Sequence, residues 1–269
     1  MKTTETPSKQ RTEQMTLDLP ALLPEIVTLA DQAGAVIMDH YHGEIEVKSK
    51  ADASPVTVAD EAGEAIILEG LAKLTPDIPV VAEEKVAAGD IPDLDAGPFW
   101  LVDPLDGTKE FISKNGEFTV NIALIGSEGP ILGVVLAPAR EKAWWGLRGA
   151  GAHTRNADDA PTPIQVRPAP AGGPTAVASR SHRDGETEAF LAKAGVVETI
   201  SAGSSLKFCL VAEGKADLYP RFGPTMEWDV AAGHAVLLAA GGHVTTLDGD
   251  PFVYRKPEFR NAGFIARAA

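Results

Sequence analysis

The chain is poor in cysteine, in positive charge and in long apolar runs. Cys209 is the single cysteine among 269 residues, so no internal disulfide can form and a reducing cytoplasm suits the protein. Only 24 Lys and Arg residues stand against 38 Asp and Glu, for a net charge of -14. That balance excludes a general nucleic-acid binder, which needs basic surface to displace counterions. No run is expected to reach the roughly 18 apolar residues of a membrane span. The first 16 residues, MKTTETPSKQRTEQMT, lack the apolar stretch of a secretory signal and read as a disordered tail. No internal repeat is present. What the chain does have is 44% apolar residues, enough for one large domain or two modest ones packed together.

Helix and strand signals alternate. Leu22, Leu23, Ile26, Val27, Ala30, Ala33 and Ile37 recur at helical spacing and predict a first helix ending near Gly43. A second helix is expected over 60–74. Strands are expected in IPVVAEE (78–84), FWLVDP (99–104), EFTVNIALIG (117–126) and ILGVVLAP (131–138), with a hairpin in WWGLRGAGAHTRN. The Pro-, Ala- and Gly-rich stretch 156–174 predicts a linker between an N-terminal α+β half, 17–155, and a C-terminal α/β half, 175–269. Later strands are expected over 175–180, 197–201 and 216–220, and helices over 185–194, 204–213 and 229–240. The order predicts a layered αβ sandwich.

Chemistry concentrates in WLVDPLDGTKEF, residues 100–111. A strand ending in Asp-Pro-Leu-Asp projects Asp103 and Asp106 from its carboxyl end, where open α/β sheets place their sites. Gly107 lets the backbone approach a ligand. Thr108 and Lys109 open a short helix whose N–H groups suit a phosphate. Hard oxygen ligands beside a phosphate cradle imply Mg²⁺. The plain alternative is an acidic turn that caps a helix. Glu83 ends another apolar strand, and read alone it is a solvated strand end. Asp229 opens the apolar helix of EWDVAAGHA, and read alone it is a cap favouring the helix dipole. Together, four carboxylates at element ends with a phosphate cradle match the needs of a two-metal phosphatase. Bound cations would also let an acidic protein receive an anionic substrate.

The strings DPLDGTKEF, SPVTVADEA, VVAEE and EWDVAAGHAVLLAAGG resemble those of the inositol monophosphatase superfamily. GEFTVNIALI and GSSLKFCLVAEGKADLYPRFGP sharpen the likeness to its 3'(2'),5'-bisphosphate nucleotidases of the CysQ type. The likeness spans about residues 20–265; 84–98 and 150–172 match poorly, and EWD stands where IWD is expected, so that Glu227 is read as facing water.

The resemblance implies an α/β (α+β) fold, a layered αβαβα sandwich of the inositol monophosphatase/fructose bisphosphatase type. It implies Glu83, Asp103 and the Leu105 carbonyl around one Mg²⁺, and Asp103, Asp106 and Asp229 around a second, with a third, weaker ion near Glu83. It implies Asp60 paired with Thr108 to orient water, and the Gly107 and Thr108 N–H groups on the scissile phosphate. Ser204, Ser205, Lys207, Arg221 and His182 would meet the nucleotide. Lys207 and Arg221 are otherwise solvated charges, and His182 an ordinary surface histidine. Cys209 is read as core, Trp144 and Trp145 as strand packing, and His40 and His42 as favouring the first helix's dipole. The activity implied is hydrolysis of adenosine 3',5'-bisphosphate to AMP in the cytoplasm, sensitive to lithium and linked to sulfate assimilation. Peripheral contact with the inner membrane stays open. An inositol monophosphatase, a sugar bisphosphatase and a noncatalytic Mg²⁺-dependent nucleotide-binding protein are the alternatives. The partner is a small nucleotide rather than a nucleic acid, with a monomer favoured.

Overall fold

The computed structural model describes residues 17–43, 47–49, 55–178 and 185–268. The 1–16 tail and His182 therefore lie outside the described residues.

The chain opens with α1 (Leu19–His42), started by Asp18, whose carboxylate accepts the Ala21 N–H at 3.2 Å, and stopped at Gly43. A ribbon of β1 (Val47–Ser49) and β2 (Pro55–Thr57) leads into α2 (Val58–Leu74). Then come β3 (Val80–Ala82), the short α3 (Glu83–Ala87), β4 (Phe99–Asp106) and the short α4 (Thr108–Ile112). Strands β5 (Thr119–Gly126), β6 (Gly129–Ala137), β7 (Lys142–Leu147), β8 (Gly151–Asn156) and β9 (Thr162–Ile164) follow as a meander. The second part holds β10 (Thr175–Ala178), α5 (Gly185–Lys193), β11 (Glu198–Ser201), α6 (Leu206–Ala212), β12 (Leu218–Arg221), β13 (Thr225–Met226) and α7 (Glu227–Ala239). It closes with β14 (His243–Thr246), β15 (Arg260–Asn261) and β16 (Phe264–Arg267).

Two sheets result. The first runs β3-β4-β5-β6-β7-β8-β9 and the second β11-β10-β12-β16-β14. Helices α1 and α2 cover the outer face of the first sheet, α6 and α7 fill the space between the sheets, and α5 packs on the second. This is the expected αβαβα layering. Residues 156–174 are not all loop: β9 lies within them and pairs with β8 at the sheet edge.

Three differences from the sequence reading have plain physical causes. Strand β5 does not alternate inside and out; seven of its eight residues are buried, because helices lie on both faces of the sheet. Its polar Thr119 and Asn121 are consequently buried and need partners. Second, α1 is long and apolar enough to cross a membrane by length and composition. That overturns the expectation of no such run. Its stripe of Ile26, Ala30, Ala33 and Ile37 is nevertheless fully packed in the core against the sheet. Third, β3 stops at Ala82, so Glu83 and Glu84 open a helix rather than end a strand.

The placement of α7 depends on two facing glycines, Gly133 and Gly146, which are paired in register across β6 and β7. A Cβ on Gly133 would lie 2.5 Å from Ala235 Cβ, and one on Gly146 2.9 Å from Val236 Cα. Their absence lets α7 lie directly on the sheet, with its first turn at the carboxyl end of β4.

Candidate active site

Strand β4 carries both aspartates of the opening motif. Residues three apart on a regular strand face opposite sides. Here Asp103 pairs with Asn121 and Asp106 with Thr119, so β4 spends one more residue than β5. That bulge, at Pro104 and Leu105, returns both carboxylates to one pocket. Gly107 then turns the chain with φ +95°, a conformation that strains any other side chain. Because β3 runs parallel to β4 with Ala82 opposite Val102, Glu83 arrives level with Asp103. Asp229 comes from the first turn of α7. Its Oδ2 accepts the Met226 N–H at 2.8 Å, so it is a helix cap and also lines the pocket.

The pocket has a volume of about 320 Å³. Glu83, Asp103, Asp106 and Asp229 line it together with Leu105, Gly107 and Thr108. Burial, then Glu83, Asp106 and Asp229, hold the Asp103 carboxyl well above its usual range. Burial pushes Asp106 up to about 6, against the pull of Lys207. Burial and the charges of Asp106 and Glu83 raise Asp229 likewise. Among the described residues no three His, Cys, Asp or Glu side chains converge as a closed cation cage. The carboxylates face one pocket without being drawn onto one point. An all-oxygen donor set held against its own repulsion nevertheless fits a hard divalent cation.

Asp60 and Thr108 meet as expected, with Thr108 Oγ1 donating to Asp60 Oδ1 at 3.2 Å. The other oxygen of Asp60 accepts the Thr57 N–H at 2.8 Å and the Thr57 hydroxyl at 2.7 Å, which fixes its orientation.

The far side of the pocket is cationic. Lys207 is buried rather than solvated, and burial pushes its ammonium down to about 8. It donates to Ser204 O at 2.6 Å and lies 5.3 Å from the Tyr219 ring centre. Arg221 lines the same pocket, steadied by the Gly223 and Pro224 carbonyls at 3.2 and 3.3 Å. Ser204 has φ +48°, and its hydroxyl lies 2.6 Å from Glu117 O and 2.8 Å from Asp106 O, so its proton is committed to backbone. The side chain of Ser205 turns away from the pocket. Its hydroxyl is buried against Asn121 and Thr119, at 2.7 and 2.8 Å, where it satisfies the polar residues of β5. Its N–H instead supports the Asp106 carboxylate.

Glu227 also differs from its sequence reading. It is fully buried and accepts the Arg255 and Lys256 N–H groups at 3.0 and 2.9 Å, because residues 255–256 fold over it. Cys209 is buried in the inter-sheet core, as Trp144 is, and burial raises its thiol pKa. Sequence reasoning missed Glu64, which accepts the Glu84 N–H at 2.8 Å, and whose carboxyl burial pushes up to about 7. Its one signal was its spacing of four from Asp60.

A pH dependence follows. Unfolded carboxyls titrate near 4, whereas Glu64, Asp103 and Asp229 hold protons to higher pH in the fold. The folded state thus binds more protons near neutrality, and its stability falls as pH rises. His234, pushed down to about 3 by burial, acts in the opposite sense, but only below its ordinary value of about 6.5. In EDTA, the melting temperature is expected to fall between about pH 6.5 and 8. Added Mg²⁺ should raise it most at the upper end, because cation binding needs ionised ligands. A flat profile in EDTA would contradict the electrostatic account.

Comparison with known proteins shows which family the chain belongs to. The model of the inositol monophosphatase family matches residues 18–267. The chain is 51% identical over 254 residues to the 3'(2'),5'-bisphosphate nucleotidase CysQ of Escherichia coli O6:H1, covering 90% of this chain and 98% of that one. The crystal structure of CysQ from Bacteroides thetaiotaomicron superposes with a TM-score of 0.79 at 39% identity, over 94% of this chain and 99% of that one. Inositol monophosphatase from Anabaena follows with a TM-score of 0.74 at 28% identity, over 93% and 91% of the two chains. This chain belongs to the inositol monophosphatase family. Within that family it shares half its residues with proteins that carry the name CysQ.

Proposed function

We propose that this chain is a Mg²⁺-dependent phosphatase that removes the 3'-phosphate of adenosine 3',5'-bisphosphate, giving AMP and phosphate. The observation that carries the reading is one pocket with a carboxylate wall and a cationic wall: Glu83, Asp103, Asp106 and Asp229 face Lys207 and Arg221. The names of the CysQ relatives support the substrate.

Glu83, Asp103 and the Leu105 carbonyl would hold one ion; Asp103, Asp106 and Asp229 would hold a second, with a weaker third near Glu83. When bound, the ions supply Lewis-acid charge to the phosphoryl oxygens and acidify water. Thr108, whose hydroxyl donates its hydrogen bond to Asp60, presents lone pairs that accept from a water and aim it. The Gly107 and Thr108 N–H groups cradle the phosphoryl oxygens as charge moves onto them. Water oxygen bonds to phosphorus, the P–O bond to the ribose 3' oxygen breaks, and that oxygen takes a proton. No protein nucleophile is needed. Lys207 and Arg221 hold the 5'-phosphate at the opposite wall. The division of the chain at 156–174 assigns most cation ligands to 17–155, and Asp229 and the nucleotide groups to 175–269. The same reading places the enzyme in the cytoplasm, in sulfate assimilation, with lithium as an inhibitor.

Product analysis tests the regiochemistry: AMP and one phosphate per turnover are expected, and accumulation of adenosine 3'-phosphate would contradict the orientation. Thr108→Val is expected to lower kcat by about 10²-fold or more with little change in KM, as loss of a water-orienting group should. Thr108→Ser should restore most of the rate. Equal kcat in the Val variant would remove the Asp60–Thr108 pair from the mechanism.

A further inference from the structure

Helix α2 presents Asp60 and Glu64 four residues apart, on one helical face. Both side chains are buried, at 2% and 4% exposure. Asp60 reaches Thr108, just beyond β4. Glu64 reaches the other loop of the pocket: its Oε2 accepts the Glu84 N–H at 2.8 Å, and the Lys85 N–H points at the same carboxylate. These are first-turn amides of α3, the element that carries Glu83. Helix α3 has no cap of its own, since the residue before it is Ala82. Orphan amides at a helix start need an acceptor, and here a different helix supplies one. Helix α2 is itself anchored through Ile67 and Leu71, both fully buried.

We propose that Glu64 is a positioning residue for Glu83: by capping α3 from α2 it fixes where the Glu83 carboxylate stands relative to Asp103, and so sets cation affinity. The pair on α2 is then a strut. One carboxylate locates the water-orienting threonine and the other locates a cation ligand, on a single rigid element. The inference rests on the reading of Glu83 as a Mg²⁺ ligand.

The test is calorimetric titration of the full chain with Mg²⁺, alongside melting of the cation-free protein. Glu64→Gln keeps an amide oxygen to accept the Glu84 N–H and should bind Mg²⁺ much as the wild type does. Glu64→Leu removes the acceptor while filling the space, and Glu64→Asp withdraws it by one methylene. Both should weaken Mg²⁺ binding by about 10- to 100-fold, as loss of a group supporting a ligand typically does. Wild-type affinity in Glu64→Leu or Glu64→Asp would overturn the proposal, even if their cation-free melting temperatures fall, because a merely structural role would move only melting. Should Glu64→Leu fail to fold, Glu64→Asp decides alone. Glu83→Gln separates the two claims. Wild-type Mg²⁺ affinity there would sink the ligand assignment itself, whereas loss of affinity there with none in the Glu64 variants would sink only the positioning role.

Discussion

Asp106→Asn is expected to abolish turnover while the fold survives. The carboxylate stands on the carboxyl end of β4, beside Asp103 and within the field of Lys207. Asparagine is nearly isosteric, so the bulge at Pro104 and the turn at Gly107 should persist. What disappears is a negative oxygen that, on this proposal, would neutralise a divalent cation. Charge stabilisation of that kind contributes several kcal/mol to a displacement at phosphorus. A loss of about 4 kcal/mol corresponds to about 10³-fold in kcat/KM, which is the minimum expected. Stability should move the opposite way. Without cations, Asp106 is a half-buried carboxyl among others, and removing it relieves repulsion. The variant should therefore melt higher than the wild type in EDTA and gain less from added Mg²⁺. Activity is read by phosphate release and stability by melting with and without the cation. Near-full activity would show that Asp106 is not a ligand.

Lys207→Met should change substrate choice more than chemistry. Its ammonium is buried, fixed on Ser204 O and stacked near Tyr219, at the wall opposite the carboxylates. A charged hydrogen bond to a phosphate contributes about 1.5–3 kcal/mol. The variant is therefore expected to lose about 10–10²-fold in kcat/KM for adenosine 3',5'-bisphosphate. Hydrolysis of a substrate with one phosphate, such as inositol 1-phosphate, should change far less, because nothing there reaches the second anion subsite. Equal losses for both substrates would mean that Lys207 supports the scissile phosphate or the fold instead. Methionine fills the hydrocarbon space of the lysine, which limits the packing loss.

Much of the pocket's lining was legible in the sequence because its carboxylates sit at element ends. DPLDGT announces itself by the change from apolar run to carboxylates to glycine. The strand and the turn at Gly107 follow from those residue types, whereas the bulge at Pro104 and Leu105 shows only in the pairing of β4 with β5. The pairing of Asp60 with Thr108, by contrast, came from the family resemblance; no local rule links residues 48 apart. Glu64 stayed hidden for the same reason, since its acceptor role exists only once α3 has been delivered beside α2. Ser204 and Ser205 are neighbours with different duties, and the left-handed backbone at Ser204 that separates them is not written in residue type. Glu227 seemed an exposed extra charge until residues 255–256 covered it. Strand β5 read as alternating because period reports one buried face, and it cannot report that α7 covers the other.

On our proposal, the two walls of this pocket together define a cation-dependent nucleotide phosphatase. The most direct measurement is phosphate release from adenosine 3',5'-bisphosphate with Mg²⁺ and with EDTA, beside inositol 1-phosphate under the same conditions. The account predicts rapid release from the nucleotide, dependent on Mg²⁺, and slow release from the inositol ester. Release from the inositol ester with none from the nucleotide would contradict it, leaving the carboxylate wall in place and the role of Lys207 and Arg221 wrong.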